Sequence, residues 1–150
     1  MNERLIIFVK NLIPGSVKTR LAEDIGIDGA LDVYQYLVEH TYEETKSLDV
    51  DKAVFYSEYI EIEDVFDASG TEAYELFFQK GGDLGERMSD AVDQSFDSYD
   101  RVVLIGSDCF ALKQKHLENA FEYLNDYDMV IGQANDGGYY LIGMKRYLAE

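Results

Sequence analysis

Short, mostly apolar runs alternate along this chain with longer stretches in which apolar residues recur every three or four positions. The runs at 5–9 (LIIFV), 52–57 (KAVFYS), 74–79 (YELFFQ), 101–105 (RVVLI), 129–131 (MVI) and 139–144 (YYLIGM) have the length of strands. Continuous apolar character suits a strand covered on both faces. Between the runs, 29–46 aligns Ala30, Tyr34, Leu37, Val38 and Thr41 on one helical face. Leu84, Met88, Ala91, Val92, Ser95, Phe96 and Tyr99 form a second such face, and Leu117, Ala120, Phe121 and Leu124 within 113–125 form a third. Segment 58–69 mixes acids with Tyr59, Ile60, Ile62, Val65 and Phe66 and fits a short helix or an irregular excursion equally. Strands separated by helices predict a mostly parallel sheet wound by right-handed crossovers. In that sheet 5–9, 101–105 and 129–131 are expected to be neighbours. The fold class is α/β, Rossmann-like, in one domain over residues 1–150 with no repeat and no linker.

Composition narrows the classes. With 150 residues, 47% of them apolar, the chain can bury one full core. No apolar run approaches the roughly 20 residues needed to span a membrane. The first run lacks the long apolar region and cleavage site of a secretory signal, so a cytoplasmic protein is expected. Cys109 is the single cysteine, and His40 and His116 are the two histidines. A bound metal would therefore be held by oxygen, which favours Mg2+ or Mn2+. The net charge of −17 repels nucleic acid and anionic membrane alike. Residues 4–20 nevertheless carry Arg4, Lys10, Lys18 and Arg20 and no acid. A local anion site in an otherwise acidic protein follows.

Ligands of open α/β sheets sit beyond the carboxyl ends of the strands. Four loops after strands, 10–20, 79–87, 106–110 and 132–138, are rich in glycine and charge. The first offers Lys10, Gly15, Lys18 and Arg20, without the glycine spacing of a Walker or dinucleotide loop. It reads as a phosphate site or a solvated basic turn. In the second, Gly82, Asp83 and Arg87 suit ribose or base contacts, or Asp83 caps a helix. In the third, Asp108 stands where a divalent ion could bridge phosphates, or where the next helix needs a cap. Cys109 beside it reads as a buried thiol. In the fourth, Asp136 before Gly137 and Gly138 is either an acidic site residue or part of a tight hairpin turn.

Four motifs occur in order: Pro14-Gly15-x-Val17-Lys18-Thr19-Arg20-Leu21, Gln79-x-Gly81-x-Asp83-Leu84-Gly85-x-Arg87-Met88, Ile105-Gly106-Ser107-Asp108-Cys109, and Asp136-Gly137-Gly138-Tyr139-Tyr140-Leu141-Ile142-Gly143. Together they resemble the bacterial glycosyltransferase-A-like family of the nucleotide-diphospho-sugar transferase superfamily. That family is often labelled radical-SAM-associated and is distantly related to cofactor guanylyltransferases. Leu12 and Phe110 stand where the family tends to have proline. The resemblance implies a nucleotide or nucleotide-sugar donor and a divalent metal. Lys18 and Arg20 would map to the phosphate loop, Asp108 to the metal-binding carboxylate and Asp136 to a second acidic position, so that Asp108 and Asp136 are the expected catalytic pair. It also implies a C-terminally short domain, whose last strand, 139–144, would leave an edge for a second copy to pair with. Three functions are expected in turn: metal-dependent glycosyl transfer, nucleotidyl transfer to a phosphorylated acceptor, and nucleotide binding without catalysis. The acceptor is left open.

Overall fold

The apolar runs at 5–9, 52–57 and 101–105 lie in the middle of one six-stranded sheet. A computed structural model describes residues 2–13, 15, 17–60, 64–68, 73–134 and 138–146. The order along the chain is β1 (Glu3–Val9), α1 (Thr19–Ile25), α2 (Ile27–Thr45), β2 (Asp51–Tyr56), α3 (Val65–Ala68), β3 (Glu75–Phe78), α4 (Leu84–Ser95), β4 (Arg101–Gly106), α5 (Gln114–Tyr123), β5 (Met129–Gln133) and β6 (Tyr139–Lys145). Across the sheet the order is β3-β2-β1-β4-β6-β5. β1 pairs in parallel with β2 and β4, and β2 with β3. β6 runs antiparallel to both β4 and β5. The first five strands therefore all point one way, and their carboxyl ends share one edge.

Both faces of the central strands are covered, which is why these strands lack alternation. On one face Leu5, Ile7, Val54, Tyr56, Val103 and Ile105 pack against Tyr34 and Val38 of α2 and Leu117 and Phe121 of α5. On the other, Ile6, Phe8, Ala53, Phe55, Val102 and Leu104 meet Ala91, Val92 and Phe96. The expected face of α2 is the buried one. Among the described residues no helix is long and apolar enough to cross a membrane.

Several expectations are corrected. The run 129–131 is not a neighbour of the central strands. β5 is an edge strand in an antiparallel hairpin with β6, and Met129 and Ile131 are 46% and 53% exposed. Three apolar residues are too few to distinguish a central strand from an edge. β6, expected to offer a free edge, lies inside the sheet, whose edge strands are β5 and β3. Leu84 is at the exposed start of α4 rather than in its buried face. α1 was not expected; none of its side chains is buried, so it leaves no apolar stripe to read. Segment 58–69 contains the short α3, whose first turn is capped by Asp64 Oδ1, accepting from Phe66 and Asp67 N–H at 3.1 and 2.9 Å.

Candidate functional site

The shared carboxyl edge opens into a cavity of about 590 Å³. Phe8, Val9, Lys10 and Lys18 line it from the end of β1 and its loop, and Ser57 from the end of β2. Gln79, Gly82, Asp83, Leu84 and Arg87 come from the β3–α4 junction, Gly106, Ser107 and Asp108 from the end of β4, and Tyr34 from α2. A second cavity, of about 530 Å³, lies at the opposite edge, where Glu3, Asp49, Asp51 and Glu75 outnumber the single lining cation among the described residues, Lys52. Those carboxylates repel phosphate, so the carboxyl edge is the candidate site.

Buried polar side chains lock its loops together. Asn11, 1% exposed, follows β1 directly. Its Oδ1 accepts from the Glu58 and Tyr59 N–H at 2.8 and 3.2 Å, and its Nδ2 donates to the Tyr59 carbonyl at 2.9 Å. The β1 and β2 loops are thus tied by one side chain. Arg87 ties β2 to β3: its guanidinium donates to the carbonyls of Gly81 and Ser57 and to Gln79 Oε1 at 3.2, 3.1 and 3.3 Å. Gln79 Nε2 in turn donates to the Phe55 carbonyl at 2.8 Å.

The third tie is α2. Tyr34 Oη accepts from the Lys10 N–H at 2.7 Å and lies 2.6 Å from Ser107 Oγ. Further along the helix, His40 Nε2 lies 2.8 Å from the Leu112 carbonyl, and Glu44 accepts from the Gln114 N–H at 2.8 Å. Phe110 stacks on both Tyr36 and His40. One helix therefore grips the whole segment from Ser107 to Gln114 and also reaches the β1 loop. Burial raises the Tyr34 pKa, with the Asp108 charge adding to it; its hydrogen bonds with Ser107 and the Lys10 N–H oppose the rise.

Of the residues expected from sequence, Lys10, Lys18, Gly82, Asp83, Arg87 and Asp108 meet around the cavity. Gly15 and Arg20 are exposed and do not line it. Asp136 lies outside the described residues. Arg4, counted in the basic stretch, is buried instead, paired with Glu75 at 3.3 Å and stacked over Phe77 and Tyr99. Asp83 does cap α4, accepting from the Glu86 N–H at 2.8 Å, while Glu86 accepts from the Gly82 N–H at 2.7 Å. Asp108 is not the cap of the following helix, because α5 begins only at Gln114 behind Lys113. Its carboxylate is exposed and turned back over Gly106. Cys109 is half-buried against the core, less enclosed than expected.

Sequence reasoning placed Gln79 and Ser107 in its motifs but gave them no role, gave none to Asn11 or Ser57, and took Tyr34 only for a core residue. One signal was present. A polar residue directly after an apolar strand stays buried only with partners, and such partners usually lie in neighbouring loops.

Among the described residues no three metal-ligating side chains cluster. Asp108 is the lining carboxylate without a hydrogen bond or ion pair among them. Mg2+ shared with substrate phosphates needs only one or two protein carboxylates, so this donor set fits such an ion.

A mostly parallel sheet with its cavity and two lysines at the carboxyl edge defines a Rossmann-like domain of the nucleotide-diphospho-sugar transferase type. The chain belongs to the family described as "Uncharacterized protein conserved in bacteria (DUF2064)", which it matches over residues 41–150. It is 28% identical over 143 residues to the 2-phospho-L-lactate guanylyltransferase of Methanocaldococcus fervens, covering 91% of this chain and 62% of that protein. Among solved structures it resembles one from Desulfovibrio desulfuricans G20, provisionally assigned as a nucleotide-diphospho-sugar transferase, at 37% identity and a TM-score of 0.84. That match covers 98% of this chain and 65% of the other. A cytidylyltransferase from Leptospira borgpetersenii serovar Hardjo-bovis shares the fold at 18% identity and a TM-score of 0.59, over 99% and 62% of the two chains. The chain thus spans a little under two thirds of these relatives. The expected superfamily is the one found; the radical-SAM label rests on the motifs alone.

Proposed function

We propose that the carboxyl-edge cavity binds the nucleotide of a transferase and that the reaction is nucleotidyl transfer to a phosphorylated acceptor. The observation that carries this is the pair Lys10 and Lys18, lining a cavity at the strand ends of a protein with net charge −17. Arg87, the third cation there, is engaged with two carbonyls and an amide oxygen. The lysines are left to hold phosphate oxygens. An acceptor phosphate oxygen attacks the α-phosphorus, the bond to the bridging oxygen breaks, and pyrophosphate leaves. Asp108 would hold Mg2+ or Mn2+, whose chemistry is to neutralise charge on the departing phosphates. Similarity to a guanylyltransferase supports this reading.

Glycosyl transfer is the second reading, supported by the 37% identity to the Desulfovibrio protein. There the sugar's anomeric C–O bond would break and a nucleoside diphosphate would leave. One assay separates the two. Nucleoside triphosphates with 2-phospholactate and other phosphorylated acceptors should release pyrophosphate, whereas nucleotide sugars should release nucleoside diphosphate if the second reading holds. Tight nucleotide binding with neither product would leave a binding module, and no binding would sink all three.

A further inference from the structure

We infer that Ser107 donates a hydrogen bond to a phosphate oxygen of the bound nucleotide and that Tyr34 is the positioning residue that turns its hydroxyl toward the cavity. The inference rests on the nucleotide reading above and deepens it. Both residues are 3% exposed and both line the cavity. Each hydroxyl has one hydrogen to place. Tyr34 Oη already accepts the Lys10 N–H, and Ser107 Oγ is its remaining partner among the described residues.

One hydrogen of the pair is left over in either orientation, and placing it on Ser107, at the end of β4 beside Asp108, directs it into the cavity. Donation from Tyr34 to Ser107 leaves nothing of Tyr34 unpaired. Burial raises the Tyr34 pKa, so the phenol keeps the hydrogen it must give. The Ser107 hydrogen is then the free end of a chain that runs from the Lys10 N–H through Tyr34. Its neighbours in the cavity wall are the exposed Asp108 and the two lysines. An anion held by the lysines supplies the acceptor. Successive donors in such a chain polarise one another, which strengthens the last bond.

Calorimetric titration of the full chain with pyrophosphate and with GTP tests this, using Ser107→Ala, Ser107→Thr, Tyr34→Phe and the Ser107→Ala/Tyr34→Phe pair. Near-ultraviolet circular dichroism checks that each variant is folded. Ser107→Ala should weaken pyrophosphate binding about tenfold or more, as for a charge-assisted bond. Ser107→Thr, which keeps the hydroxyl, should recover most of it. Tyr34→Phe should weaken binding in the wild-type background and add little in the Ser107→Ala background, since the phenol acts through the serine. Unchanged affinity in Ser107→Ala, or independent losses that add in the double variant, overturns the inference while leaving the nucleotide reading intact. A wild-type protein that binds neither probe overturns both.

Discussion

Lys18 is the residue at which local geometry and chemistry compete. It is the described non-glycine residue with positive φ, at φ 49° and ψ 49°, directly before α1. A left-handed conformation costs an L-residue about 1 kcal/mol or more, and glycine escapes that cost. Lys18→Gly should therefore leave stability to urea within about 1 kcal/mol of wild type, while the loss of its charge weakens nucleoside diphosphate binding by about 1.5–3 kcal/mol. Arg20→Ala should change neither, because Arg20 does not line the cavity. Calorimetry beside urea melts measures both quantities. Asp108 offers the complementary case. Asp108→Asn preserves shape but removes the charge, so manganese should no longer tighten nucleoside diphosphate binding. In chelator the variant should bind as well as wild type or better, since one repelling charge is gone. A variant that keeps its manganese dependence would remove Asp108 from the metal.

The elements were legible where burial is two-sided or helical. β1 is apolar from Leu5 to Val9 and β4 from Val102 to Ile105, and α2 repeats its buried face from Ala30 to Thr45, so tertiary packing and local pattern agree. α1 and β5 fall outside this rule: α1 has no buried residue, and β5 alternates exposed and half-buried positions along a hairpin edge. The site was legible as four glycine- and charge-rich loops. Its supports were not, because the side chains of Asn11, Tyr34 and Ser107 act across 46, 24 and 73 residues of chain. Side-chain hydrogen bonds of that span have no local spacing. Gly81 is a place where loop and helix specify each other. It has φ +138°, and a Cβ there would lie 2.8 Å from the Arg87 backbone nitrogen. Gly81→Ala should destabilise the fold by about 1–3 kcal/mol in urea and loosen the β3–α4 junction that holds Arg87.

For the molecule as a whole, buried phenols set an alkaline limit. Burial raises Tyr74 to about 12, with its hydroxyl held 2.8 Å from Thr45 Oγ1, and raises Tyr34 as well. Unfolding restores the ordinary value near 10, so the unfolded chain loses these protons first as pH rises. Stability contributed by Tyr74 is complete below about pH 10 and is lost as pH climbs towards 12, an effect of about 3 kcal/mol. Urea melts at stepped pH should show the decline, and Tyr74→Phe should flatten it. The placement of β6 between β4 and β5 bears on how the protein is made. A ribosome delivers β1 to β5 before residues 139–145 emerge, and until then β4 carries an unpaired edge on a strand that is apolar from Val102 to Ile105. β5 meanwhile has no strand to join. The nascent chain must therefore shield that edge, by chaperone or by speed, and synthesis stalled between Gln133 and Tyr139 should yield a species prone to aggregate rather than a smaller folded domain.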